Sequence, residues 1–157
     1  MKLLRGGQKK FNFEIDPTEK FLLFHVLQLY PVVPAGHHQL SKDRHVPNRE
    51  ENQQLLEEAL KAQRIEKRQQ VEALLKDSHR FAEAEDGFRV GFTREEIEWL
   101  LQVFNDVRVG SWIALGSPDQ RAEYKKRLTK QALPHVMAMD EAGFFETIFL
   151  HALTGRG

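Results

Sequence analysis

Cysteine is absent from this sequence, and with it go disulfides, thiolate catalysis and every Cys-ligated zinc or iron–sulfur site. No apolar run reaches the ~18–20 residues that a membrane-spanning helix needs, so no membrane role is expected. A net charge is missing too. The 23 basic and 23 acidic side chains cancel, which argues against nucleic-acid binding, whose affinity comes mostly from phosphate neutralisation. The basic opening, Met1 to Lys10, has only two leucines for an apolar part, too short for a signal peptide. Among catalytic motifs, there is no Gly-x-Ser-x-Gly elbow, no Gly-x-Gly-x-x-Gly loop and no His-Glu-x-x-His helix. These absences lead to the expectation of a cytoplasmic protein of bacterial type, without cofactor, metal or convergent catalytic set.

The 157 residues and 11 phenylalanines that are present suit one domain, 1–157, with a sizeable core. Phe11, Phe13 and Ile15 alternate with polar residues at the period of a half-buried strand. Asp16-Pro17-Thr18-Glu19 then supplies an N-cap, a proline for the first helical position and the closing glutamate of a capping box. The helix that follows should run to Pro31. Residues 31–47, with three further helix-breaking signals and three histidines, read as a long irregular loop. Asn48 to Glu51 predicts a second capping box, opening a long polar helix over 48–79. Its middle, from Gln63 to Gln70, is apolar only at Ile65, so it cannot bury a continuous stripe within its own domain.

Phe88, Val90 and Phe92 predict a second strand, paired antiparallel with the first into a small two-stranded sheet. Thr93 to Glu96 is a third capping box, and the helix after it carries apolar residues on nearly every face, marking it as the most buried. Ser117-Pro118-Asp119-Gln120 starts a basic amphipathic helix that Pro134 should break or kink. A final helix from about Asp140 ends at Gly155. The fold class is therefore α+β, mainly helical, with about five helices. A homodimer is expected, because the long helix and the strand edges both lack cover.

Candidate site residues fall in two places. His37, His38 and His45 share the irregular loop with Asp43, but adjacent histidines in an extended segment point apart, and a solvated loop outweighs a metal site. Asn105, Asp106, Arg108 and Trp112 lie in the otherwise apolar central helix, with Asn105, Arg108 and Trp112 at three- and four-residue spacing. A guanidinium buried there must be paired. In one reading Arg108 closes a buried network with Asn105 and a carboxylate such as Asp16, Glu98 or Glu146. In the other, Arg108 and Asn105 hold an anion or a peptide at a pocket rim, with Trp112 as apolar anchor. His25 and His151 read as a core-edge histidine and a helix-terminal one.

The segment Trp99-Leu100-Leu101-Gln102-Val103-Phe104-Asn105-Asp106-Val107-Arg108 resembles the W-L-x-x-x-N-D-x-R-L block of an uncharacterised bacterial family, domain of unknown function two thousand and seventeen. Phe13 to Glu19 resembles its strand-to-helix opening, and Phe144 to Ile148 its closing aromatic helix. Trp112 and Gly116 depart from the basic continuation usual there. The resemblance implies a small, mostly helical cytoplasmic protein with no assigned reaction, from genes often found near the adaptor of the Clp protease.

Three functions follow as expectations. A non-enzymatic interaction module, adaptor or regulator, leads, with Leu56, Leu60 and Leu74 as the residues whose replacement should abolish association. A small-molecule binder or enzyme with an anion site at Arg108 and Asn105 is second. Weak nucleic-acid binding through Lys125, Lys126, Arg127 and Lys130 is third.

Overall fold

A computed structural model describes residues 1–6, 9–34, 48–118 and 129–155. The first predicted strand forms where the alternation placed it, β2 (Phe11–Ile15), with Phe11, Phe13 and Ile15 all buried. It pairs antiparallel with β4 (Gly87–Phe92) in the register Phe11 to Phe92, Phe13 to Val90 and Ile15 to Phe88. The sheet is nevertheless four-stranded, because β1 (Lys2–Gly6) adds to β2 and β3 (Phe81–Ala84) adds to β4, in the order β1-β2-β4-β3. Neither edge strand has a readable period. The pairing of β1 slips between Leu3 and Arg5, and β3 has four residues with one buried anchor, Phe81.

Four helices are present among the described residues. Helix α1 (Pro17–Leu29) is capped as predicted. The Asp16 carboxylate accepts from the Glu19 amide at 2.8 Å, and the Glu19 side chain accepts from the Asp16 amide at 2.9 Å. The box at Asn48 does not form. Asn48 is left-handed, φ 58°, makes no side-chain cap bond, and α2 runs over Arg49–Lys76. Helix α3 (Arg94–Ala114) begins at the Thr93–Glu96 box. It is not buried all round. Ile97, Leu100, Val103, Phe104, Val107, Gly110 and Ser111 face inward, while Glu98, Gln102, Asn105 and Arg108 stay exposed. The last helix, α4 (Leu133–Thr154), starts earlier than Asp140, since Pro134 sits in its first turn, where a missing amide costs nothing, and does not break a helix. It ends on left-handed Gly155, φ 64°. The basic helix expected after Ser117 falls largely on 119–128, outside the described residues; Lys130 is exposed in a turn.

Helices α3 and α4 pack most extensively on one another, and Phe149 of α4 joins that pair to the sheet. Its ring meets Phe13 and Phe92 edge-on, each at 5.4 Å, and stacks on Phe104 at 5.6 Å. Burying each such ring contributes about 1.5–3 kcal/mol, so this cluster is the thermodynamic centre of the molecule. Gly87 lets β4 start beside β2, because a Cβ there would lie 2.3 Å from the Ile15 carbonyl oxygen. Among the described residues, helix α2 joins this core through its carboxyl-terminal end, by Val71 and Leu74 with Leu75 partly buried beside them.

Candidate functional site

Asp106 and Gly110, one turn apart on α3, face the segment Tyr30–Pro34 that leaves α1. One Asp106 oxygen, Oδ1, accepts from the amides of Val32 at 2.7 Å and Val33 at 3.3 Å. Gly110 allows the segment to press on the helix, since a Cβ there would sit 2.6 Å from Val32 C and Val33 N. From the other side, Arg64 of α2 donates to the carbonyls of Val33 at 2.8 Å and Pro34 at 3.4 Å, and Arg68 donates to that of Tyr30 at 3.2 Å. The segment is thus strapped between two helices by a carboxylate and two guanidinium groups. Tyr30 lies beneath it, almost fully buried. Burial, with the charge of Asp106, pushes the Tyr30 phenol above 10.0, and Arg64 offsets part of that.

Between α2 and α3 the strap borders a cleft of about 260 Å³, whose polar lining is Gln63, Arg64, Lys67, Gln102, Asn105 and Asp106. Between α3 and α4 lies a wider groove of about 510 Å³, holding Arg108, Trp112, Met139, Gly143, Phe144 and Thr147. The four residues of the central block are therefore divided. Asn105 and Asp106 belong to the first cleft, Arg108 and Trp112 to the second.

Arg108 is not buried. Its side chain is 49% exposed and its Nη1 lies 3.4 Å from Glu146 Oε2, one of the three carboxylates considered for it. That oxygen is buried without a hydrogen bond, so Arg108 supplies a loose counter-charge. Asn105 takes no part in this pair, and Asp16 and Glu98 are elsewhere, the former capping α1. The Trp112 indole is half-buried and donates to the Pro118 carbonyl at 3.0 Å.

No family model, curated protein or solved structure matches this chain. The site must therefore be read from its own chemistry.

His37, His38 and His45 lie outside the described residues, as do Lys125, Lys126 and Arg127. Among the described residues no three His, Asp or Glu side chains are grouped to hold a metal ion. His25 bridges α1 and α4, its Nδ1 2.8 Å from Glu141 Oε2 and its ring parallel to exposed Phe21. His151 stands exposed in the last turn of α4. Sequence reasoning missed Arg64 and Arg68. Their signal was present as two arginines four apart, aligned with Val71 on the docking face of α2, inside a stretch that reads as plain solvated helix. No helix among the described residues is long and apolar enough to cross a membrane.

Proposed function

We propose that the chain is a non-enzymatic protein–protein interaction module, of adaptor or regulator type, that pairs through α2 with a second copy of itself. The observation that supports this is the outward face of α2. Leu60, Arg64, Lys67, Val71 and Leu74 lie on the side turned to the domain. On the opposite side Leu55, Ala59, Ala62 and Ile65 follow at steps of four, three and three residues, all exposed, with Leu55 at 63% and Ile65 at 52%.

Charge along the helix gives the pairing a direction. Taken over the whole helix, Arg49 to Leu60 carries net −3 and Lys61 to Lys76 net +3, although three of the five cations in the second half, Arg64, Lys67 and Arg68, are turned to the domain. An antiparallel pair with its two-fold axis near Leu60 sets each acidic half against a basic half and brings Leu55 against Ile65 of the other copy. A parallel pair would oppose like charges along the whole length. The leucines named from sequence shift accordingly. Leu74 is core and Leu60 faces the α2–α3 cleft, so Leu55 and Ile65 are the residues to change.

The test is light scattering of the purified chain together with a cysteine pair, unambiguous in a chain that has no cysteine. The wild type is expected at twice the monomer mass, and Leu55→Asp with Ile65→Asp at the monomer mass with unchanged circular dichroism. Combining Leu55→Cys with Ile65→Cys should give an intermolecular disulfide under mild oxidant, and neither single substitution should. A monomeric wild type at every attainable concentration would overturn the reading. We propose separately that the chain is cytoplasmic and, on the Asn105-Asp106-x-Arg108 block alone, a member of the bacterial family which that block resembles.

A further inference from the structure

We propose that the cleft between α2 and α3 is an oxyanion site, taking a small ligand through a carboxylate or phosphate group, with Lys67 as its charge and Asn105, Gln102 and Gln63 as its neutral donors. The cleft holds two cations and one carboxylate, an excess of one positive charge. The carboxylate is committed, because Asp106 Oδ1 already binds the Val32 and Val33 amides. The Arg64 guanidinium is committed as well, to the Val33 and Pro34 carbonyls. Lys67 is different. It is half-buried beside them and makes neither an ion pair nor a hydrogen bond with any described residue.

Three amides share the cleft with that ammonium, and none of them has a hydrogen-bond partner among the described residues. Each side-chain amide carries two donors, so the set offers an anion one full charge and up to six neutral N–H groups. Leu60, Val33 and Val109 supply the apolar part of the lining, while Gln63, Gln102 and Asn105 are exposed at its rim. At about 260 Å³ the space suits a small metabolite rather than a drug-sized molecule. The anion reading drawn from the central block therefore keeps Asn105 and exchanges its cation, since Arg108 opens into the other groove and is engaged by Glu146.

The site is tested by calorimetric titration of the full chain at constant ionic strength, with inorganic phosphate in one series and succinate in the other. Saturable heat from either probe is expected, and which probe gives it distinguishes a phosphate from a carboxylate ligand. Lys67→Met should weaken that binding about tenfold or more, the effect of losing one charge-assisted hydrogen bond. Lys67→Arg should retain most of it, and Lys61→Met, outside the cleft, all of it. Since Lys67 holds no partner among the described residues, circular dichroism of the Met variant should match wild type. Equal binding by wild type and Lys67→Met, or no saturation with either probe, would overturn the proposal.

Discussion

Asp106 and Gly110 carry the same task by different means, and both can be tested one residue at a time. Asp106 satisfies two backbone amides that would otherwise lie unpaired in a part-buried strap. Asp106→Ala is expected to lower stability by about 1.5–3 kcal/mol in urea unfolding, whereas Asp106→Asn, which keeps an oxygen in place, should cost less. Gly110→Ala forces a methyl against the strap backbone, which cannot yield as a side chain can, and should cost about 1–3 kcal/mol. Lys20 shows a third device. Its ammonium lies 3.9 Å from the centre of the Phe88 ring and within reach of the Phe81 and Phe24 rings, tying α1 to β3 and β4. Lys20→Met keeps the stem and removes the charge, so a loss of about 0.5–2 kcal/mol would measure the cation–π contribution alone. None of these roles was legible in the sequence, where Asp106 reads as a binding residue and Lys20 and Gly110 carry no signal of their own. Their partners are 74 positions away in one case and on other elements in the rest.

At the scale of elements, legibility followed the capping chemistry. Asp16–Glu19 and Thr93–Glu96 announced α1 and α3 because a box is a local circuit, complete within four residues. Asn48 carried the same pattern without forming the bond, its backbone being held left-handed where the chain enters α2. The edge strands β1 and β3 escaped notice because strands of five and four residues, with Phe81 the buried anchor of β3, show no sustained alternation. Helix α2 was read correctly as polar and long, and its uneven attachment has a measurable consequence. Amides from about Val71 to Lys76 are anchored by the core, while those of the first half rest on few buried contacts. In the Leu55→Asp, Ile65→Asp variant, hydrogen exchange should therefore be fast over residues 52–60 and slow over 71–76, and in wild type pairing should slow the first half too.

The whole molecule is closed by a joint that no single element contains. Arg80, just past α2, makes a two-pronged contact with Glu96, its Nη1 and Nη2 each 2.8 Å from a carboxylate oxygen. It also donates to the Gly91 carbonyl at 3.2 Å and stands over the Phe92 ring. One guanidinium thereby fixes the end of α2, strand β4 and the first turn of α3. Burial alone would raise the Glu96 carboxyl, but the Arg80 hydrogen bonds, the Thr93 amide and the charges of Arg80 and Lys10 outweigh it and hold the group below the ordinary 4.5. The same contact, against a smaller opposing effect of burial, raises the Arg80 guanidinium above its ordinary value. A carboxyl with a lower pKa folded than unfolded adds stability that is complete above the unfolded value and is lost as pH falls through it toward the folded one. The stability gap between wild type and Glu96→Gln should thus be constant at neutral pH and narrow below about 4.5. A gap that widens on acidification would contradict the assignment.

Sequence by itself determined what acts over short range: the strand alternation of Phe11 to Ile15, two capping boxes, the glycine stop at residue 155 and the polarity of α2. Those signals rest on backbone geometry and on neighbours within a turn. Tertiary structure decided which of the polar residues meet. It divided Asn105 from Arg108, committed Asp106 to a distant strap, and left Lys67 without an ion pair among the described residues. Such pairings depend on where α2 and the strap lie across α3, and helical spacing fixes a face of one helix but not the neighbour that face will find.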